Sequence, residues 1–273
     1  MRAMRRPIKK IVLTILALFL FPLAVHGALY SLQERPESYA RADWSSIGML
    51  PAASADPAAR LLIFTGRTGR WRGIFAVHSW VVFKPENGAR WERYDVVGWG
   101  QPVRNNGWAP DSRWWGEAPR VLLDAHGDEA AALIPKVQAA IEAYQYSQAG
   151  DYRIWPGPNS NTFVASVLRA MPELETTLPP NAIGKDFRPA PYIGLTDSRT
   201  GVEASLLGVL GVKLAWVEGI EFNFMGLVAG LDLRHPGVKL PGFGRLGIDD
   251  GTAVAAPAIP VTGSLDGSAQ PNS

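Results

Sequence analysis

Three kinds of residue in this chain suit nucleophilic chemistry. A serine stands at the start of a helix, a histidine lies in an apolar strand, and acids and a phenol lie on the strand that follows. The serine is Ser160, in Trp155-Pro156-Gly157-Pro158-Asn159-Ser160-Asn161-Thr162-Phe163. Two prolines and a glycine stop whatever precedes it. Asn159, Ser160, Asn161 and Thr162 then offer capping side chains, and residues 163–171 read as a short helix ended by Pro172. Free N–H groups and the positive end of the helix dipole converge there. That suits a nucleophile. It equally suits a plain cap, whose replacement costs about 1 kcal/mol.

A hydroxyl needs a base beside it, and the base needs a group to orient it. His78, in Val77-His78-Ser79-Trp80-Val81-Val82, is one of four histidines. It reads either as a satisfied core residue or as that base, since its strand precedes another strand and then the Asn-Ser helix start. Glu92, Tyr94 and Asp95 lie on the next strand. By alternation the first two share a face and Asp95 takes the other. His235 with Asp232 is a weaker pair, because His-Pro after a strand reads as a turn. Gly242-Phe243-Gly244-Arg245-Leu246-Gly247 fits a dinucleotide-binding glycine pattern. No helix follows it, so it reads as a turn-rich closing segment. The sequence holds no cysteine, which excludes disulfides and a thiolate nucleophile. No metal or cofactor site is expected.

The elements that must position these residues follow from patterning. Arg2, Arg5, Arg6, Lys9 and Lys10 precede an apolar run at residues 11–30. Twenty helical residues span about 30 Å, enough for a bilayer core. The basic flank keeps the N-terminus in the cytoplasm and places the rest outside. The expectation is a single-pass inner-membrane anchor (residues 1–32) with the domain in the periplasm. A cleaved signal peptide is the competing reading. Residues 33–59 read as a polar linker and 251–273 as a disordered tail. The folded domain falls at 60–250. The net charge is +2, and no basic stripe in the body suggests nucleic acid.

Within the domain, strands are expected at 60–65, 73–83 and 90–99, then a Trp-bearing loop at 101–119 and a helix from Asp128 to about Tyr146. His126 reads as beginning that helix. Residues 176–198 look irregular, 202–210 are strand or helix, and 212–233 alternate well enough for two or three strands. Trp108, Trp114 and Trp115, being in a loop, read as candidates to line a ligand groove.

His78-Ser79-Trp80 together with Asn159-Ser160-Asn161-Thr162-Phe163 resembles the circularly permuted NlpC/P60-type papain-like proteins, which include the lecithin:retinol acyltransferase-like group. There a His-Trp-like strand comes first and an Asn-Cys-x-x-Phe helix start later. The chain also resembles a proteobacterial membrane-anchored family known only as a domain of unknown function. That likeness rests on the anchor, His-Ser-Trp, Tyr94-Asp95-Val96-Val97-Gly98-Trp99-Gly100, the Asn-Ser stretch and Lys239-Leu240-Pro241-Gly242-Phe243-Gly244-Arg245. The papain-like resemblance covers residues 61–168. It implies an α+β papain-like domain with an antiparallel sheet packed on helices. It also implies Ser160 as nucleophile, His78 as base and, from the familiar Tyr-Asp-Val-Val setting, Asp95 as orienter, with Trp80, Asn159 and Asn161 beside the substrate.

The departure is the nucleophile. The family uses a cysteine, whose thiolate is accessible at a helix N-terminus beside histidine, and serine needs more help. Two functions therefore stand side by side. One is a cell-envelope hydrolase or acyltransferase acting on amide or ester bonds of peptidoglycan peptides or lipids. The other is a non-catalytic envelope module that keeps the groove to bind peptide, glycan or lipid.

Overall fold

The computed structural model describes residues 2–248; the expected tail, 251–273, lies outside the described residues. The chain is α+β, with two antiparallel sheets and an N-terminal apolar helix. Helix α1 (Arg2–Ile15), a π-helical stretch (Leu16–Leu20) and α2 (Phe21–Ser31) run on from one another. The part from Lys9 to Ser31 is long and apolar enough to cross a membrane.

The first sheet contains β1 (Arg60–Arg67), β2 (Val77–Lys84), β3 (Glu92–Val96), β4 (Val103–Asn105) and β5 (Arg120–His126), in the order β4-β3-β2-β1-β5. Helices α3 (Asp128–Glu142) and α4 (Ser160–Arg169) cover one face. Every residue of β2 is buried, so both faces of this strand are packed. Val77, Val81 and Phe83 join Leu61 and Ile63 of β1 against Phe163, Val164 and Val167 of α4. Trp80 and Val82 join Leu62 and Phe64 on the other face, beneath Trp114. A strand between two layers shows no hydrophobic alternation, which is why residues 73–83 read as one continuous apolar run. His126 ends β5 instead of beginning a helix: its register partner is Arg60, and Gly127 intervenes before α3.

Residues 33–59 do not stand clear as a spacer. Trp44, Met49 and Leu50 pack over the second face. Asp111 accepts from Ser46 Oγ at 2.6 Å and from Met49 N at 2.7 Å, and Ile47 is buried. The prolines and serines made the segment look like linker, but its apolar residues cover a sheet face that α3 and α4 leave open.

The second sheet is a meander of seven strands paired in chain order: β6 (Tyr192–Leu195), β7 (Gly201–Leu206), β8 (Leu210–Ala215), β9 (Gly219–Phe224), β10 (Leu227–Asp232), β11 (Gly237–Leu240) and β12 (Gly244–Gly247). The supposedly irregular 176–198 thus contains β6, and the closing segment contains β12, whose Gly247 lets the backbone at the start of β11 come close. Register carries one row across all seven strands: Leu195, Val202, Leu214, Ile220, Leu231, Val238 and Leu246. The neighbouring row, on the opposite face, runs Gly194, Glu203, Lys213, Glu221, Gly230, Lys239 and Arg245.

The charged face is the buried one. Lys185 reaches Asp186 at 2.8 Å and Glu221 at 2.7 Å, Lys213 reaches Asp186 at 2.6 Å, and Lys239 reaches Glu221 at 2.7 Å. Arg188 pairs with Glu203 and Asp197, and Asp197 also takes Arg169 from the end of α4. Asp197 is half-buried, and although desolvation opposes its charge, Lys213, Arg169 and Arg188 hold its carboxyl down at about 2. A buried ion pair is tolerated when each charge meets its opposite, and here even Glu203 Oε2, which makes no hydrogen bond, lies 3.3 Å from Lys213 Nζ.

Candidate functional site

Helix α4 begins at Ser160, three residues ahead of the expected 163, and its cap is Asn159. The Asn159 Oδ1 accepts from Asn161 N at 2.9 Å and Thr162 N at 3.2 Å, while Thr162 Oγ1 accepts from Asn159 N at 3.1 Å. This is a reciprocal capping box. Ser160 is therefore the first helical residue and not the cap, and it is buried.

Asn159 and Asn161 hold the loop above the helix end. Asn159 Nδ2 donates to Ile154 O at 3.1 Å and Ile183 O at 3.0 Å. Asn161 Nδ2 donates to Ile183 O at 2.8 Å and to Val77 O at 2.9 Å, and its Oδ1 accepts from Ser79 Oγ at 2.8 Å. Thr162 Oγ1 donates to Gly184 O at 2.7 Å. Gly184, at φ +99°, lies so near Asn159 that a Cβ would fall 2.3 Å from its Nδ2. Thus loop 181–184 closes over the helix N-terminus, and both asparagines have their polar atoms occupied by protein.

On β2, Ser79 is the residue that faces α4. His78 faces the other way, as alternation requires. Its ring lies against Trp114, with centroids 3.9 Å apart and planes within 5°. Gly66 stands opposite His78 on β1, where its missing side chain makes room for Trp114. Asp95 shares this face. Its Oδ1 lies 2.8 Å from His78 Nε2, and Arg93 donates to it through Nε at 2.6 Å and Nη2 at 3.0 Å. Arg93 also donates to Ala109 O and Ser112 Oγ, and lies over the Trp80 ring.

The electrostatics of this cluster follow from burial and from Arg93. For Asp95, desolvation works against the charged form, but the Arg93 guanidinium and the His78 contact outweigh it and hold the carboxyl below its usual range. For His78, desolvation is the largest effect and pushes its pKa below the usual imidazole value, against the pull of Asp95. The stable state is thus a neutral His78 whose Nε2–H donates to an ionised Asp95, beside a charged Arg93.

The structure therefore brings His78 and Asp95 together, with the spacing of a base and its orienter, and sets Ser160 in the layer on the other side of the sheet. Glu92 and Tyr94, the alternative orienters, face away from His78. Glu92 bonds Arg90, Asn105 and Asn106, and Tyr94 stacks on Phe83. The tryptophans pack onto one another. Trp80 is fully buried, Trp114 is buried between His78 and Trp44, and Trp108 and Trp115 pack onto the same cluster. A loop bearing three tryptophans looks exposed in sequence, but here it is the second-face core.

Arg93 is the functional neighbour the sequence reading missed. The signal was present: Arg93 and Asp95 are two apart on a strand, hence on one face, and a charged pair at that spacing beside a strand histidine forms a ladder. Among the described residues no group of acidic and histidine side chains is arranged to hold a metal ion.

No curated protein and no solved structure matches the chain. A family does: residues 58–187, which contain the first sheet, both helices packed on it and the loop bonded to the start of α4, match the family described as Protein of unknown function (DUF3750).

Proposed function

We propose that residues 60–187 are a permuted NlpC/P60-type papain-like domain that has lost catalysis, and that the chain works in the cell envelope as a membrane-attached binding module. The observation that carries this reading is the facing of two adjacent residues. Ser79 points to α4 and bonds Asn161, so His78 points to Trp114 and not to Ser160. A working pair must share a proton across about 3 Å. The sheet lies between these two, and loop 181–184 closes the helix N-terminus where an acyl carbon would sit. The partner is drawn from the peptides, glycans and lipids of the envelope; lipid has structural support of its own, given below. In this reading the polar residues of the ancestral site became internal braces.

The test uses the purified full chain in detergent with a fluorophosphonate probe, which labels activated serines. The expected result is no labelling of Ser160. In Ser160→Cys, the new thiol should react no faster than one placed at the exposed turn by Glu86→Cys. Labelling of the wild type that disappears in folded Ser160→Ala and in folded His78→Ala would overturn the reading in favour of a Ser–His hydrolase or acyltransferase.

A further inference from the structure

The second sheet is inverted relative to an ordinary one. An antiparallel sheet with one wet face turns its apolar side chains to the core. Here the buried face carries the charge ladder of Glu203, Lys213, Glu221 and Lys239. The row from Leu195 to Leu246 lies outside, with Ile220 half-buried and the other six exposed. Ile193, Val212 and Phe222 extend the same face, and Trp216 continues it past the end of β8. The sheet cannot simply turn over, because the ladder is tied to Lys185, Asp186 and Arg188 in the segment that leads into its first strand. A contiguous apolar face of this extent marks an interaction surface.

One other element already sits on that face. Phe19, in the middle of the apolar N-terminal helix, is buried with its ring 5.8 Å from that of Phe224. By strand alternation Phe224 belongs with Ile220 and Phe222. The stretch Leu16–Leu20 runs against β10, where Ala229 of the same face is buried. The helix meets the sheet at mid-length and not only at its end, so a bilayer crossed by the helix reaches the sheet as well.

We infer that the outer face of the second sheet is a membrane surface: it rests on the acyl chains of the leaflet on the domain's side, beside the helix. The face then supplies what its exposed leucines and valines lack, an apolar neighbour. Open strand edges are not tolerated in hydrocarbon, so only the apolar face enters the acyl region and the edge strands β6 and β12 stay at headgroup level. Trp216 at the end of β8 suits the interface, where tryptophan is enriched. The inference holds whether or not the first domain is catalytic.

The chain has no cysteine, so single ones can be placed without background. Val202→Cys, Leu214→Cys and Val238→Cys, with Glu86→Cys as the water-exposed control, are made in the full chain. Each is spin-labelled and reconstituted into phosphatidylcholine–phosphatidylglycerol vesicles. Collision with oxygen, which partitions into lipid, is compared with collision with a water-soluble nickel chelate. The three face sites should collide with oxygen and lose collisions with nickel, while the control does the reverse. Two outcomes overturn the inference. Face sites that meet nickel as readily as the control lie in water, with the helix a mere tether. Face sites shielded from both reagents, with spin–spin broadening between labels, lie against a second copy. Thermal melts matching the wild type keep a misfolded variant out of the comparison.

Discussion

The imidazole of His78 lies flat on the indole of Trp114, 3.9 Å between centroids, and Gly66 across the strand pair makes that contact possible. A Cβ on Gly66 would stand 2.7 Å from the Trp114 Cβ. Gly66→Ala should therefore push Trp114 off His78, at about 1–3 kcal/mol for overpacking a core site. Urea unfolding of the full chain in detergent measures this. An unchanged midpoint would mean that the indole is not held where the stack requires.

The polar residues around α4 should rank by what they bond and not by nucleophilicity. Asn161→Ala leaves Val77 O without its side-chain donor and Ser79 Oγ without its acceptor, and a buried unsatisfied group costs about 1–3 kcal/mol. Asn159→Ala removes the cap, at about 0.5–2 kcal/mol. Ser160→Ala should change stability by no more than about 0.5 kcal/mol. If Ser160→Ala proved the costliest of the three in the same unfolding assay, the bracing role given to the asparagines would be wrong.

Acid should weaken the fold in two steps of the same sign. His78 has a folded pKa below its ordinary 6.5, so its contribution is complete above that value and is lost as the pH falls toward the folded pKa. Asp95 is likewise depressed below its ordinary 3.8, and its contribution is lost only as the pH falls below that value. Wild-type stability should thus begin to decline below about pH 6.5, and that first decline should flatten in His78→Gln, whose amide can still donate to Asp95. Parallel pH profiles for the two proteins would assign the first step elsewhere.

Glu221 serves two lysines, Lys185 and Lys239, in a dry setting. Glu221→Ala should strip both of their shared carboxylate and cost about 3–5 kcal/mol, as removing one partner of a buried pair does. Differential scanning calorimetry of the full chain tests this. A loss below about 1 kcal/mol, typical of exposed pairs, would show water entering the ladder.

A reporter enzyme active only outside the cytoplasm, fused to the C-terminus, should be active in cells, since the positive-inside rule expects basic residues before an apolar run to hold the N-terminus inside. Activity of a cytoplasm-restricted reporter at the same position would reverse the topology.

The sequence by itself determined the elements whose signal is local. The apolar run at 11–30 is a helix of spanning length, since twenty apolar residues without a polar face allow little else. The Asn-Ser-Asn-Thr start of α4 is a helix N-terminus, since capping chemistry lies within four residues. Strands β1 to β3 and β8 to β10 were legible from their apolar and alternating patterns.

Three things were decided only by tertiary structure. The cap fell to Asn159 and not Ser160, because loop 181–184, some twenty residues on, selects which side chain turns inward. His78 and Ser160 came to lie on opposite sides of β2, because a strand packed on both faces carries no hydrophobic alternation to reveal which residues face the helix. The second sheet turned its charges inward, because alternation gives the period of a strand and not its direction. Leu214 and Lys213 define the same two faces whichever way the sheet is laid, and the choice was made by Lys185 and Asp186, which complete the charge ladder from outside the sheet.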